Sequence, residues 1–211
     1  MINLNTLIIS DTHFNHKGML KASKKRQSVA ESIEDLDNLL WRNLSKIQNK
    51  TILHLGDLTW SGGTAKHLLP NIEALSSKVL FIPGNHDKNS IGTYKKGFNE
   101  VFTGINNLTK QQVSLNKESE FLNCIILDIQ DIRILFSHYP VFDDCEYDKK
   151  TKFYPAILNL REIFEELKCD LNIHGHTHEK TISKKSYNCS VENINFKPKK
   201  LEDILKEKGL I

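Results

Sequence analysis

The chain has 211 residues, 39% of them hydrophobic and 26% charged, enough to bury a core as one domain and short of what two ordinary domains need. With 29 Lys and Arg against 26 Asp and Glu, the net charge of +3 is too small to announce a nucleic-acid binder by itself. No apolar stretch approaches the roughly 18 residues of a membrane span, the first ten residues lack the marks of a secretory signal, and the four scattered cysteines (Cys124, Cys145, Cys169, Cys189) fit neither a disulfide framework nor a zinc ribbon, so the expected setting is the cytosol, with no membrane partner.

In chain order, residues 4–9 form a β-favouring run that ends at Ser10-Asp11-Thr12-His13, where a strand would meet its loop. Ser28 with Glu31 reads as a capping box for a helix whose Ile33, Leu36, Leu40, Leu44 and Ile47 share one face. Residues 51–55 then run into Gly56-Asp57, and residues 78–82 into Pro83-Gly84-Asn85-His86-Asp87. Runs 124–129 and 132–136, separated by Gln130-Asp131, suggest a hairpin whose second strand leads into Ser137-His138-Tyr139-Pro140. A second amphipathic helix covers 156–167, and the strand at 170–173 enters His174-Gly175-His176-Thr177-His178. A further strand is expected at 187–194 and a short helix at 201–206. With no repeat, linker or low-complexity segment, residues 1–211 read as a single mixed α/β sandwich. Strand order is not legible from this pattern.

Of nine histidines, only His67 lies away from these strand-end motifs. Imidazole and carboxylate at strand ends are the groups that bind manganese, iron or zinc. Alternate residues of an extended segment face one side, so Asp11 with His13, and His176 with His178, are each expected to offer two side chains together. Gly56, Gly84 and Gly175 stand beside these candidates, where a missing Cβ lets the backbone come close to an ion. Singly, each motif also reads as a cap, a turn or a packed core histidine; a single-zinc hydrolase of another fold would draw on the same residue types.

The ordered set Asp11-x-His13, Gly56-Asp57, Gly84-Asn85-His86-Asp87, His138 and Gly175-His176-x-His178 resembles the signature of the calcineurin-like metallophosphoesterases, across about residues 7–178. The wording SDTHFNH, HLGDL, SHYP and the tail NCSVENINFKP is similar to a small bacterial and phage branch. The resemblance implies a four-layer α-β-β-α sandwich with two mixed β-sheets, with metals at the loop edge. It also implies two divalent ions, Mn2+ favoured and Fe, Zn or Ni as alternatives. Asp11, His13, Asp57 and His178 would hold one ion, and Asp57, Asn85, His138 and His176 the other. A hydroxide between the ions would attack phosphorus, while His86, with Asp87 orienting it, would serve the phosphate and the leaving group. His54, His174 and Tyr139 are candidates to hydrogen-bond the ligands, and His16 to touch substrate. The basic run Lys17, Lys21, Lys24, Lys25 and Arg26 stands beside this site, with no acid from residue 12 to residue 30, as an anionic substrate would favour.

Residues 56–62 read GDLTWSG and lack the Asp-Arg-Gly extension of the protein Ser/Thr phosphatases, and Asp87 stands where those carry Glu. The expectation therefore moves to a phosphodiesterase acting on a small diester, a nucleotide, or single-stranded nucleic acid or its ends. About 33 residues follow His178, few for a clamp on duplex DNA. A phosphomonoesterase on the same metals and a non-catalytic binding scaffold are the other readings, and the oligomeric state is open.

Overall fold

Alternating side chains along each strand feed two different cores, and this alternation sets the layers of the computed structural model, which describes residues 1–60, 62–111, 117, 119–178 and 183–211. Strands β1 (Leu7–Ile9), β2 (Thr51–His54), β3 (Lys78–Phe81) and β4 (Glu100–Val101) run parallel in one sheet. Strands β5 (Ile105–Asn107), β6 (Cys124–Ile129), β7 (Ile132–Ser137), β8 (Leu171–His174) and β9 (Ser186–Asn188) make the second, in that order. There β6 and β7 form the antiparallel hairpin and the remaining pairs are parallel. Strand β10 (Lys199–Lys200) pairs antiparallel to β1. Both sheets are therefore mixed.

Among the described residues seven α-helices cover the sheets: α1 (Lys17–Ala22), α2 (Lys24–Gln27), α3 (Ile33–Ser45), α4 (Gly62–Glu73), α5 (Ile91–Gly97), α6 (Tyr154–Glu166) and α7 (Leu201–Glu207). Ile9, Ile52, Val79 and Phe81 point outward onto Leu36, Leu40 and Leu44 of α3 and Tyr94 of α5. Their neighbours Ile8, Leu53 and Leu80 point inward and meet Ile125, Leu127, Ile134 and Phe136 of the second sheet. Cys124, Ile126 and Leu135 face Ile157, Leu160 and Ile163 of α6 on the far side. The result is the four-layer α-β-β-α sandwich. A one-residue slip of any inner strand would exchange two cores, so register is tightly held.

Two local expectations change, and one helix appears that the sequence did not announce. The capping box of α3 is made by Ser32 and Asp35, because Ser28 caps the end of α2 and gives its hydroxyl to the Lys25 carbonyl. The strand expected at 187–194 stops at Asn188, and the chain then crosses to the first sheet, where Ser190 bridges Ser10. Helix α4 contains Pro70, which masks it in the sequence. Among the described residues no helix is long and apolar enough to cross a membrane, and the four cysteines stand unpaired.

This topology places the carboxyl ends of β1, β2 and β3 against those of β7 and β8. All five motifs follow those strands, in the position where α/β sheets present ligand-binding loops.

Candidate metal centre

The first two motif loops continue side by side beyond their strands. Asp11, His13 and Phe14 donate their amides to the carbonyls of Gly56, Asp57 and Leu58 at 3.0, 3.1 and 2.9 Å. The backbone is not extended here, as the sequence pattern suggested. Asp11, His13, Asp57, His176 and His178 all have positive φ, between 49° and 68°. Non-glycine residues avoid this region at a cost of about 1–3 kcal/mol each, and such strain gathers at functional sites. Left-handed turns, rather than strand alternation, bring the paired side chains together.

Close backbone approach does the rest. A Cβ on Gly84 would lie 2.3 Å from Asp57 Oδ1, and one on Gly175 would lie 2.3 Å from Asp11 Oδ2. Gly56 has φ +94° and sits against the Gly84 amide. Only glycine fits these three positions.

Asp11, His13 and His178 form one group of potential ligand atoms within 4.8 Å of one another, His13, Asp57 and His86 a second, and Asp11, Asp57 and His138 a third. Asp57 Oδ2 lies 3.6 Å from His13 Nε2, 3.5 Å from His138 Nε2 and 3.9 Å from His86 Nε2. Asn85 Oδ1 is 3.1 Å from His138 Nε2. Asp11 Oδ2 accepts from the His176 amide and the Ser190 hydroxyl, both at 2.9 Å. Among the described residues, Asp11 Oδ1 is buried without a hydrogen-bond partner, as are both ring nitrogens of His13. Orphaned acceptors of this kind are rare in a protein interior, and a nitrogen and oxygen donor set of this sort suits first-row divalent ions. The residues fit a metal.

Charge points the same way. Burial, with Asp87 and Asp11 nearby, pushes the Asp57 carboxyl well up. Burial also opposes the charge on Asp11, but His178, His138 and His13 outweigh it and hold that carboxyl below its usual range. Burial pushes His13, His138 and His176 down, leaving neutral imidazoles with lone pairs to give. A buried carboxylate pair beside neutral imidazoles is relieved by a cation.

Three histidines turn one ring nitrogen to a fixed partner, which orients the ring and leaves the other nitrogen toward the donor cluster. His138 turns Nδ1 to the Leu55 carbonyl at 2.9 Å, His176 turns Nε2 to Asp148 at 3.0 Å, and His178 turns Nδ1 to Glu192 at 3.2 Å. Glu192 also pairs with Arg26, whose remaining nitrogens reach the carbonyls of Asp11 and Thr12 at 2.6 and 3.2 Å. Sequence reasoning missed Arg26, Asp148 and Glu192 in these roles. Glu192 left a signal as the sole acid between residues 179 and 202; Asp148 left none.

Other expected residues fall in different places. Asp87 does not orient His86. Its carboxylate accepts the amides of Asp57, Gly84 and Leu58 at 2.6, 2.8 and 3.3 Å and the Tyr94 hydroxyl at 2.8 Å, because the two loops leave those donors facing inward. Arg26 is fully buried in the pair just described, so this member of the basic run cannot meet a substrate. His54 supports loops rather than ligand side chains, accepting the Gly56 amide at 3.2 Å and meeting the Thr12 hydroxyl at 3.1 Å. Among the described residues the Tyr139 hydroxyl has no hydrogen-bond partner; its ring packs at 5.0 Å on His138 and His176. His174 buttresses the Gly175 turn, 2.8 Å from that carbonyl and 3.5 Å from Asp143. His176 lines the same cleft but stands outside the three close groups. His16 packs 5.4 Å from His13. His86 and His178 are the partly open members, their side chains 26% and 27% exposed, and both face a cleft of about 340 Å³.

A profile of the calcineurin-like phosphoesterases matches residues 4–180, and the chain belongs to that family. Membership and the donor cluster together make it a metal-dependent hydrolase of phosphate esters. The chain is 28% identical over 216 aligned residues to the uncharacterized protein MJ1445 of Methanocaldococcus jannaschii, covering 97% of this chain and 92% of that one. The crystal structure of AQ665 from Aquifex aeolicus, a protein of unknown function, superposes with a TM-score of 0.70 at 28% identity, covering 96% of this chain and 98% of that one.

Proposed function

We propose that the protein is a dinuclear metal-dependent phosphodiesterase acting on a nucleotide-like diester or a nucleic-acid end, with Mn2+ as the favoured ion. The observation that supports it is the buried donor cluster around Asp57, with Asp11 Oδ1 and both His13 ring nitrogens unpartnered. Asp11, His13, Asp57 and His178 would hold one ion, and Asp57, Asn85, His138 and His176 the other. When bound, such ions offset phosphoryl charge and generate a nucleophile at neutral pH.

The chain's own groups supply the rest. Asp148, Glu192 and the Leu55 carbonyl hold three imidazoles in fixed orientations, so little reorganisation is needed when charge develops. His86 faces the cleft and would give its proton to the departing oxygen. Among the described residues, those lining the cleft include no Lys or Arg. A singly charged diester suits that lining better than a doubly charged monoester, which favours phosphodiester hydrolysis. We place the reaction in the cytosol, where unpaired cysteines persist.

The test is turnover of bis(p-nitrophenyl) phosphate with added Mn2+, beside p-nitrophenyl phosphate. Faster hydrolysis of the diester, abolished by chelation, is the expected result. Preference for the monoester would make it a phosphomonoesterase, and turnover of neither would leave a binding scaffold.

A further inference from the structure

Among the described residues, two large aromatic side chains are open to solvent: Tyr147 lines this cleft, and Trp60 packs on His86, which lines it. Trp60 is 52% exposed and Tyr147 71%. The Trp60 indole rests with its ring centre 4.0 Å from His16 and 4.5 Å from His86. Tyr147 lines the cleft together with His86, Asn85 and Asp57, with Phe153 in the same wall. The other tryptophan, Trp41, shows the usual fate of such a ring, stacked at 4.3 Å and 13° on buried Phe14. Leaving two large aromatic surfaces in water is unfavourable, and neither Trp60 nor Tyr147 closes a core.

The geometry points to a pair of base-stacking platforms beside the phosphate site, Trp60 against His86 and Tyr147 in the cleft lining: the substrate is a dinucleotide step of single-stranded nucleic acid, its two bases held by Trp60 and Tyr147. The inference rests on the phosphodiesterase reading and names its substrate class. Trp60 takes the base on the leaving-group side, since it lies against His86. Tyr147 takes the base on the other side. Aromatic faces accept any base, so the platforms select for a base on each flank without reading sequence. The cleft needs no cationic lining for this, because stacking supplies the hold on the nucleosides.

The experiment compares thymidylyl-thymidine with the same dimer lacking both bases, using Mn2+-loaded protein. The wild-type protein is expected to favour the base-bearing dimer in kcat/KM by about tenfold or more, the range that stacking supports. Trp60→Ala and Tyr147→Ala should each reduce that ratio about tenfold, while Trp60→Phe and Tyr147→Phe retain most of it. A wild-type ratio near one, or a ratio unmoved in both alanine variants, overturns the proposal while the phosphodiesterase reading stands. Tryptophan fluorescence with chelated protein gives an independent reading. Thymidylyl-thymidine should quench the wild-type protein, and neither the abasic dimer on wild type nor thymidylyl-thymidine on Trp60→Phe should do so. No hydrolysis of either dimer or of bis(p-nitrophenyl) phosphate defeats the phosphodiesterase reading, and the quench still decides whether Trp60 meets a base.

Discussion

Arg26 and Glu192, 166 positions apart, meet at 2.5 Å with both side chains sealed from solvent. The pair ties α2 to the segment after β9, and through it to both ends of the donor cluster: Arg26 holds the carbonyls of Asp11 and Thr12, and Glu192 holds His178. Removing one partner of a buried ion pair strands the other, at about 3–5 kcal/mol. Arg26→Met is therefore expected to lower the midpoint of thermal unfolding by roughly 6–20 °C for a chain of this size. Glu192→Gln should cost less stability and weaken metal binding about 10–100-fold, because His178 loses the acceptor that aims its ring. Thermal unfolding and metal titration measure the two effects. An Arg26→Met protein that melts with the wild type would show the pair to be incidental.

The five motifs lie after strands that short β-favouring apolar runs make visible, so the strand ends and the donor residues around Asp57 are legible in the sequence. The partners that aim those donors are less so. Glu192 and Asp148 act through tertiary contacts to histidines 14 and 28 positions away, and no local periodicity encodes such a contact. Arg26 shows the opposite failure. It is the last member of a basic run that reads as a solvated face, yet it is the one that turns inward, because the left-handed turns at Asp11 and His13 leave carbonyls that need donors. Helix α4 escaped through its Pro70, and β5 through its brevity and its two asparagines.

Asp87 and His86 are adjacent in sequence and separable in effect. Asp87 gathers the amides of Asp57, Leu58 and Gly84, so Asp87→Asn replaces one acceptor oxygen by an amide that faces donors. The expected result is a loss of stability, about 1–3 kcal/mol for the first donor left unsatisfied, together with weaker metal binding. His86→Ala should leave the unfolding midpoint and metal stoichiometry close to wild type and reduce turnover about 10²–10⁴-fold, the range for a missing general acid. If His86→Ala lost its metals as Asp87→Asn does, His86 would belong among the ligands.

Gly175 is held between Ser10 and Asp11, where an added Cβ would lie 2.0 Å from the Ser10 hydroxyl and 2.3 Å from Asp11 Oδ2. Gly175→Ala must push Asp11 away from the His176 amide that it accepts. Metal stoichiometry by elemental analysis should fall while the far-UV circular dichroism spectrum is retained. Gly92, which has open space around it, provides the control, and Gly92→Ala should bind metal as the wild type does. Full metal content in Gly175→Ala would mean that the Asp11 loop is not the rigid cradle described above.

The acid limb of stability reads out His54. The Gly56 amide donates to its Nδ1, so its proton sits on Nε2 toward Thr12, whose hydroxyl passes on to the Leu58 carbonyl at 3.0 Å. Burial pushes this imidazole from 6.5 down to about 3. Below 6.5 the unfolded chain takes up a proton that the folded chain refuses, so stability is fully present above that pH and is lost as pH falls toward about 3. Each such proton contributes a slope of about 1.4 kcal/mol per pH unit. In metal-free protein, His54→Gln should reduce the slope of unfolding free energy against pH by about one proton in that window, measured by denaturant titration at a series of pH values. Coincident slopes would place the proton on His54 in the folded state as well, and the hydrogen-bond chain from Gly56 through Thr12 to Leu58 would then run in some other direction.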